Sequence, residues 1–347
     1  MSGTSNIKLE NILDLTKEEL GGLLLKEGGK KFNANQIFNW LYKKKAVSFA
    51  QMSNLSAGMR AATEKLFEIK LLKSVKKQTS AKGDAVKLLF KLGDGYKIES
   101  VLMLQPYGNT FCASTQVGCA YGCHMCATGK LGLKRNLTPG EITGQLLAAE
   151  KEQGEKVNNI VFMGMGEPLA NYDNFKKAVL IFSDPDGINI NQRRQTVSTC
   201  GVVPGIDRLI TDGLRVNLSV SLHSTFDSLR DKLVPVNKKY KVAVLLKKLQ
   251  EYCKVTRSHV SIEYVLIAGV NDGEGEADNL IKMINKFCLN TKVNLIPVNP
   301  VDALSPSGEE TIKMWQKKLE NAKIISTSRR ERGADILAAC GQLAGEE

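Results

Sequence analysis

No run of about 18 consecutive apolar residues, the length that a membrane-spanning helix requires, occurs in this sequence. The amino terminus also lacks a charged start followed by an apolar core, so we expect no secretory signal and a cytoplasmic location. Internal repeats, low-complexity tracts and disordered linkers are missing as well. These absences argue against membrane, secreted and repeat proteins and favour a globular chain with a sizeable core.

The charge balance is strongly basic. The 347 residues include 48 Lys or Arg and 36 Asp or Glu, which gives a formal net charge of +12. Residues 1–80 alone hold 14 basic and 7 acidic residues, or +7 in less than a quarter of the chain. Such an excess favours a polyanionic partner, nucleic acid first, although a diffuse solubility charge would give the same count. The length allows one large α/β domain and a small accessory domain.

Residues 1–80 are predicted to form a basic helical accessory domain that binds RNA. Apolar spacing predicts helices over residues 16–25, 34–42 and 55–69. The first begins with a capping box formed by Thr16 and Glu19. Residues 43–45 are three lysines that follow an aromatic-rich helix, and basic groups beside aromatics suit RNA. The alternative is a solvated helix end packed on its own small core.

The rest of the chain is predicted to be an α/β domain. Apolar segments 85–92 and 96–104 flank a Gly-Asp-Gly turn and predict a hairpin, so residues 81–105 are expected to connect the two domains. Strands are predicted over residues 110–117, 159–165, 195–200, 215–222, 259–266 and 292–298, with 323–326 as a seventh. Helices are predicted over residues 138–153, 172–182, 204–211, 243–255, 276–287 and 309–321. This alternation predicts a parallel sheet or barrel whose active site collects at the carboxyl ends of the strands.

Three cysteines on one loop carry the strongest chemical signal. Cys119, Cys123 and Cys126 are spaced C-x-x-x-C-x-x-C directly after the first predicted strand of this domain. Three thiolates on a short loop can hold a metal or an iron–sulfur cluster. A structural zinc site would need four ligands, and His124 is a candidate for the fourth. With only three protein ligands, a four-iron cluster keeps one iron open for a substrate or cofactor.

This spacing resembles that of radical S-adenosylmethionine (SAM) enzymes, and the flanking segments narrow the resemblance. Residues 111–118, 163–168 and 339–345 are similar to motifs of the RlmN-type RNA adenine carbon-2 methyltransferases. The likeness covers roughly residues 97–345 and, more loosely, the amino-terminal region. It implies a partial (β/α)6 TIM-like barrel over residues 106–347, with a small helical amino-terminal domain and a connecting hairpin.

The resemblance also implies the cofactors and their ligands. Cys119, Cys123 and Cys126 would hold one [4Fe-4S] cluster, and the amino and carboxyl groups of SAM would chelate the open iron. Two SAM molecules would be consumed per turnover. The SAM-binding residues would be Gly166, Glu167, Ser198, Ser221, Leu222, His223 and Asn299.

Three further residues match catalytic positions of the family. Cys340 would carry the methyl group taken from one SAM, and Cys112 would release the RNA by forming a disulfide with it. Glu99 would accept a proton. Independently of the family, an acidic residue inside an apolar strand is costly unless it is paired or used. Cys200, which stands where the family commonly has serine, is interpreted as structural, as are Cys253 and Cys288.

The implied reaction is methylation of carbon 2 of adenine in 23S rRNA, at the peptidyl transferase centre, and in tRNA next to the anticodon. Carbon 2 is electrophilic and has no lone pair, so it cannot accept the electrophilic methyl group of SAM in a direct polar reaction. The implied partners are these RNAs and a flavodoxin or ferredoxin as electron donor, with no membrane and a monomeric chain. One alternative is the Cfr-type sister family, which methylates carbon 8 and gives antibiotic resistance. Another is a non-catalytic iron–sulfur or zinc RNA-binding protein.

Overall fold

A computed structural model describes residues 9–299, 304–328 and 332–345. The strands of these residues are β1 (Glu10–Asn11), β2 (Phe67–Glu68), β3 (Ser74–Thr79), β4 (Ala85–Lys91), β5 (Lys97–Met103), β6 (Asn109–Cys112), β7 (Gln116–Val117), β8 (Arg135–Asn136), β9 (Val157–Phe162), β10 (Gln195–Thr199), β11 (Asn217–Ser221), β12 (Val260–Leu266), β13 (Thr291–Pro297) and β14 (Ile325–Ser328). The α-helices are α1 (Lys17–Lys26), α2 (Lys31–Phe38), α3 (Ala57–Leu66), α4 (Ala127–Lys130), α5 (Pro139–Gln153), α6 (Tyr172–Ser183), α7 (Val203–Thr211), α8 (Asp227–Leu233), α9 (Val242–Thr256), α10 (Glu274–Lys286) and α11 (Glu309–Asn321). None of these helices combines the length and the apolar character that crossing a bilayer would need.

One ten-stranded sheet organises the main domain, in the order β14-β13-β12-β11-β10-β9-β6-β5-β4-β3. Strand β6 and strands β9 to β14 pair in parallel, and helices α5, α6, α7, α9, α10 and α11 provide the crossovers. The predicted alternation, including the seventh strand, is therefore confirmed. The parallel strands are apolar runs because both faces of the sheet are covered. Val197, for example, pairs with Phe162 and Leu218, and all three side chains are buried.

The parallel strands curve into a partial barrel. Side chains at or just beyond the carboxyl ends of β9 to β13 line one cavity, together with the cysteine loop that follows β6 and β7. A flat sheet of this width would spread these ends apart, so a shared cavity requires the sheet to bend around it. In the described part of the chain, β3 and β14 are the two edges of the sheet and do not pair with each other, so the barrel is open.

The predicted hairpin is confirmed but lies inside the main sheet. Strands β4 and β5 pair in antiparallel fashion, β5 continues onto β6, and β3 adds a further antiparallel strand. The sheet thus runs across the expected limits at residues 81 and 105. Strand β3 belongs to residues 1–80, which are therefore not wholly helical. Its exposed, lysine-rich pattern gives little apolar alternation, so local sequence does not reveal it.

The predicted first strand, 110–117, divides into β6 and β7. After β6 the backbone leaves the ladder and wraps around the end of β9, where Thr115 N donates to the carbonyl of Met165 (2.8 Å). Strand β7 then pairs with β8 and closes the base of the cysteine loop. Two short helices, α4 and α8, were not predicted. Both are shorter than the window over which helical periodicity becomes visible.

The amino-terminal helices form a second core that packs against α5 and α6 of the main domain. Leu147 of α5 and Ile181 of α6 are members of that core. The capping box of Thr16 and Glu19 is present. Lys17 lies on the following turn and forms ion pairs with Asp184 (3.0 Å) and with Asp186. The small domain is therefore docked through both apolar and charged contacts.

The three lysines at 43–45 make contacts within the protein. Lys43 donates to the carbonyl of Pro185 (2.7 Å), and Lys45 pairs with Glu150 (3.1 Å). Lys44 lies over the Trp40 ring, 3.7 Å from its centroid. Two of these contacts reach the main domain, so the lysines help to dock the small domain, which neither the RNA interpretation nor a helix end packed on its own small core anticipates. Other basic residues of the small domain remain exposed, among them Lys30 and Lys31 beside the half-exposed Phe32.

Candidate active site

Most of the predicted site residues line one cavity at the carboxyl ends of the parallel strands. The members of the predicted set that line it are Cys119, Cys123, Cys126, Gly166, Glu167, Ser198, Ser221, His223, Asn299 and Cys340. We call this the first cavity. Each side chain arrives there because its strand ends at the same edge of the barrel. The Leu222 side chain is buried in the hydrophobic core and does not line the cavity.

The cysteine loop is held by tight backbone turns. Gly118 has φ +73°, and a Cβ there would lie 1.8 Å from the carbonyl oxygen of Gly132, so this position requires glycine. The backbone N–H of Cys119 donates to the same carbonyl (3.2 Å). His124 donates its backbone N–H to Leu233 O (2.9 Å), while its side chain is exposed and does not line the cavity. The loop thus presents the three cysteine side chains to the cavity, and they are its candidate cluster ligands.

The surroundings of the three thiols differ. Burial raises the pKa of Cys119 to about 12 and also raises the pKa of Cys126. A hydrogen bond between the Cys123 and Cys200 thiols lowers the pKa of Cys123 and raises that of Cys200. Thiolates bind iron, so cluster assembly must draw protons from two buried thiols that otherwise keep them. Three soft donors on one wall fit an iron–sulfur cluster.

Glu167 lines the same cavity as the cysteines and lies in a cradle of backbone amides. Its carboxylate accepts from the N–H groups of Leu169 (3.1 Å) and Cys200 (2.8 Å). Burial raises its pKa. Amide donors of this kind orient a carboxylate without neutralising it, so the group remains an acceptor for a ligand ammonium. Its own N–H donates to Gln116 (2.8 Å), which ties the end of β9 to β7.

His223 and Asn299 close the other side of the cavity. The His223 Nδ1 accepts the N–H of Val265 (3.0 Å), so its Nε2 carries the proton and is the donor. Burial lowers the pKa of His223 to about 3, so the ring is neutral. Asn299 donates from Nδ2 to the carbonyl of Cys340 (2.8 Å), while its buried Oδ1 has no partner among the described residues. An orphaned buried acceptor fits a site completed by a ligand such as SAM.

A second cavity of about 410 Å³ adjoins the first and contains both predicted non-cluster thiols. Cys112 at the end of β6 and Cys340 on the carboxyl-terminal segment line it, and Met163, Asn299 and Cys340 line both cavities. Cys340 therefore stands where the two meet. None of the eight cysteines, all of which lie in the described residues, is joined to another by a disulfide bond. The arrangement brings two thiols, more than two hundred residues apart in sequence, into one space.

The carboxyl-terminal segment is anchored on the cysteine loop. Ala127 N donates to Gly341 O (2.7 Å), and Thr128 Oγ1 donates to Leu343 O (2.5 Å). Gly341 has φ +85°, and a Cβ there would lie 2.8 Å from Met125 O, so the approach needs glycine. These contacts place Cys340 beside the cysteine loop.

Glu99 is buried outside the linings of both cavities. Its carboxylate forms an ion pair with Lys87 (3.0 Å) and accepts the N–H groups of Ala344 (2.8 Å) and Gly345 (2.9 Å). The structure thus satisfies the expectation that this acidic residue is paired. In this arrangement it holds the segment that carries Cys340. Its role as a proton acceptor stays a prediction.

Comparisons with known proteins place these features in a family. Residues 113–281 match the radical SAM superfamily, and residues 10–69 match the ribosomal RNA large subunit methyltransferase N-terminal domain. A relative from Desulforamulus reducens, described as a probable dual-specificity RNA methyltransferase RlmN, is 43% identical over 99% of this chain and 98% of its own. The chain belongs to the RlmN family of radical SAM RNA methyltransferases.

Other relatives agree with this assignment. An RlmN protein from Clostridium acetobutylicum is 44% identical over 96% of this chain and 97% of its own. The crystal structure of a radical SAM methyltransferase from Sphaerobacter thermophilus superposes with a TM-score of 0.90 and 41% identity, covering 97% of this chain and all of that one. Membership of the RlmN family confirms the fold and the reaction class, and it brings a [4Fe-4S] cluster and SAM as cofactors. It favours the RlmN-type interpretation over the carbon-8 alternative.

Sequence reasoning missed several residues near the site. Cys200, interpreted as structural, lines the first cavity and contacts Cys123. Arg230 and Lys87 are buried charges: Arg230 bonds the carbonyl of Cys200 as well as groups near it in sequence, and Lys87 pairs with Glu99 on the neighbouring hairpin strand. Only the position of Cys200, two residues after Ser198 at a strand end, offered a signal beforehand.

Proposed function

We propose that this protein methylates carbon 2 of an adenine in 23S rRNA and in tRNA, with Cys340 as methyl carrier and Cys112 as the resolving thiol. The observation that supports this best is the second cavity, which holds both thiols and opens directly onto the predicted SAM site. Its mouth includes Tyr107, whose side chain is 80% exposed, and Arg332. An exposed aromatic ring beside a guanidinium suits an unstacked nucleobase and its phosphate.

In this proposal the cluster would be held by Cys119, Cys123 and Cys126, and SAM by the amide-cradled Glu167 and the residues around it. When bound, these groups supply a methyl group and one-electron hydrogen abstraction. The chain supplies placement and excludes water. Asn299, which bonds the Cys340 carbonyl, would couple the position of the carrier to that of SAM.

The last covalent step would be carried out by the chain's own thiols. Cys340, bound through a methylene group to carbon 2, would be attacked at sulfur by the Cys112 thiolate. The new S–S bond forms as the C–S bond breaks, and the released electron pair with one proton completes the methyl group. Because radical addition leaves one unpaired electron on the adenine, the adduct must first lose that electron, which the oxidised cluster would accept, and it must also give up the proton of carbon 2. Glu99 is the proposed acceptor, and in this structure it is engaged by Lys87 and the terminal amides, so the terminal segment would have to shift first.

The test uses reconstituted protein with an adenine-containing fragment of 23S rRNA and with tRNA, followed by nucleoside mass spectrometry. We expect 2-methyladenosine, and 8-methyladenosine would overturn the carbon-2 assignment. Cys340→Ala should give neither product nor covalent complex. Cys112→Ala should remain covalently attached to RNA, with a nucleotide on Cys340 after nuclease treatment. Cys288→Ala, which removes an exposed thiol, is the control and should turn over normally.

The supporting partners are part of the same proposal. A low-potential one-electron donor such as flavodoxin or ferredoxin would reduce the cluster. The protein would act as a monomer in the cytoplasm. Sedimentation of the reconstituted protein with and without RNA tests whether the chain is monomeric.

A further inference from the structure

Arg230 is the most deeply buried charged group near the predicted cofactor site. Its side chain has no exposed surface, and it does not line either cavity. It lies on α8, the short helix between β11 and α9. No carboxylate of the described residues lies within ion-pair distance of it. A buried cation without a counter-ion costs several kcal/mol unless other groups stabilise it.

The guanidinium is instead surrounded by neutral acceptors. Its Nη2 donates to the carbonyl oxygens of Cys200 (2.7 Å) and Ser221 (3.0 Å), and its Nε donates to that of Leu222 (2.9 Å). Its Nη1 donates to Asn237 Oδ1 (3.0 Å). Three of these four acceptors are backbone carbonyls at the carboxyl ends of β10 and β11. One side chain therefore joins two strand ends that carry predicted SAM-binding residues.

Two nearby acidic residues form no ion pair with the guanidinium. Asp227 and Asp231 accept from the amide nitrogen of Asn237 (2.9 and 2.7 Å), whose oxygen accepts from Arg230. Asp231 is further paired with Lys241 (2.8 Å). These carboxylates attract the positive charge without contacting it, so they offset the cost of its burial only in part, and burial lowers the pKa of Arg230.

The same helix also reaches the cluster loop. The carbonyl of Leu233, at the end of α8, accepts the backbone N–H of His124 (2.9 Å). Arg230 holds the carbonyl of Cys200, whose thiol hydrogen-bonds to Cys123. Helix α8 thus touches the loop between two cluster ligands and, through Arg230, the strand ends opposite.

We propose that Arg230 is a positioning residue that fixes the SAM-binding ends of β10 and β11 relative to the cluster loop, and that its buried charge is balanced by the anionic cluster. Three thiolates outweigh the charge of the oxidised core, and each added electron makes the cluster more negative. A fixed cation nearby in a poorly solvated site favours that electron. The inference concerns the cofactors alone and does not depend on the RNA substrate.

The experiment compares Arg230→Met and Arg230→Lys in the full chain after anaerobic cluster reconstitution. Two quantities are measured: the midpoint potential of the cluster without SAM, by redox titration followed by electron paramagnetic resonance, and the dissociation constant of SAM, by equilibrium dialysis. Arg208→Met is the matched control, because Arg208 lies on α7, is half-exposed and pairs with Asp173 at the surface.

For Arg230→Met we expect a more negative midpoint potential and SAM binding weakened by about tenfold or more, as the loss of one or more charge-assisted hydrogen bonds predicts. Arg230→Lys keeps the charge but cannot reach three carbonyls, so the potential should stay near that of the unsubstituted protein while SAM binding weakens. Arg208→Met should change neither quantity.

Three outcomes would overturn the proposal in whole or in part. An Arg230→Met protein with four irons, an unchanged potential and unchanged SAM affinity would refute it entirely. If that variant does not assemble a cluster, Arg230→Lys decides: normal SAM affinity refutes the positioning role. A midpoint potential in Arg230→Lys well below that of the unsubstituted protein refutes the charge role.

Discussion

The two cavities are built in different ways. The first is formed mainly by the ends of successive parallel strands and one loop, so most of its lining residues follow a recognisable strand in the sequence. The second lies where β5 and β6 meet the carboxyl-terminal segment, and its two thiols come from opposite ends of the domain. The comparison teaches that cofactor binding rests on the regular part of the fold. The predicted methyl-transfer groups depend on a long-range contact.

The largest effect is expected from a substitution that disables the first cavity and leaves the second intact. Cys126→Ala removes a ligand of the first cavity, so the cluster should be lost and SAM cleavage should fall to background. Cys340 should still react with a thiol reagent, since Cys126 does not line the second cavity. Iron counting, 5′-deoxyadenosine assay and alkylation mapping measure these three results. Cys253→Ala, away from both cavities, is the control, and retention of four irons by Cys126→Ala would contradict the ligand assignment.

The next effect concerns the anchor of the second cavity. Lys87→Met leaves Glu99 as a buried carboxylate without its ion pair, which should lower the free energy of unfolding by about 3–5 kcal/mol. Hydrogen exchange at Ala344 and Gly345 should accelerate, because their acceptor is no longer held. SAM cleavage should persist while methylated RNA decreases.

Denaturant unfolding and hydrogen-exchange mass spectrometry provide the measurements for this variant. Lys91→Met, at the exposed end of β4, is the matched control and should behave like the unsubstituted protein. Unchanged exchange of the terminal amides in Lys87→Met would show that the ion pair does not anchor the segment.

A smaller effect tests the electrostatics of the first cavity. Burial lowers the pKa of His223 to about 3, against an ordinary value of 6.5. Below pH 6.5 the unfolded chain binds a proton that the folded chain does not, so stability is full above pH 6.5 and is lost as the pH falls toward 3. Between pH 7 and 5 the loss from this group is about 2 kcal/mol.

His223→Asn removes this contribution and should therefore lose about 2 kcal/mol less stability over that pH interval. Denaturant unfolding at both pH values provides the comparison. The exposed His259, substituted by Asn, is the control and should follow the unsubstituted protein. Identical pH dependence with and without His223 would mean that its ring is accessible to protons in the folded state.

The smallest effect lies outside both cavities. Lys30→Gln with Lys31→Gln removes two exposed charges beside Phe32, so RNA should bind severalfold more weakly, with a salt dependence lower by about 2 in slope. Both cavities should keep their chemistry, including SAM cleavage. Lys282→Gln with Lys286→Gln on α10 is the equal-charge control. Filter binding at several salt concentrations measures the slope, and equal losses in the two pairs would point to diffuse attraction without a defined surface.

Local sequence pattern predicted most of the regular fold. It failed where an element is short or polar and where the partners of a residue are distant in the sequence. The strands after residue 106 were predicted within a few residues, because buried parallel strands are apolar runs bounded by turns. Strand β3 was missed because its sequence is polar, and α8 because it has only seven residues. The lysines at 43–45 looked like an RNA surface from sequence but serve the docking of the small domain.

The sequence by itself determined the ligand chemistry. The C-x-x-x-C-x-x-C spacing confines three thiols to one loop, and the strand–helix alternation carries the other predicted ligands to one barrel edge, since strands of one direction end on one side. The ion pair of Glu99 with Lys87 joins neighbouring strands of the predicted hairpin. Tertiary structure alone decided that Glu99 meets the terminal amides, that Cys340 shares a cavity with Cys112, and that Arg230 joins two strand ends. These contacts arise from the curvature of the sheet and from the return of the carboxyl-terminal segment to it, which no local pattern encodes.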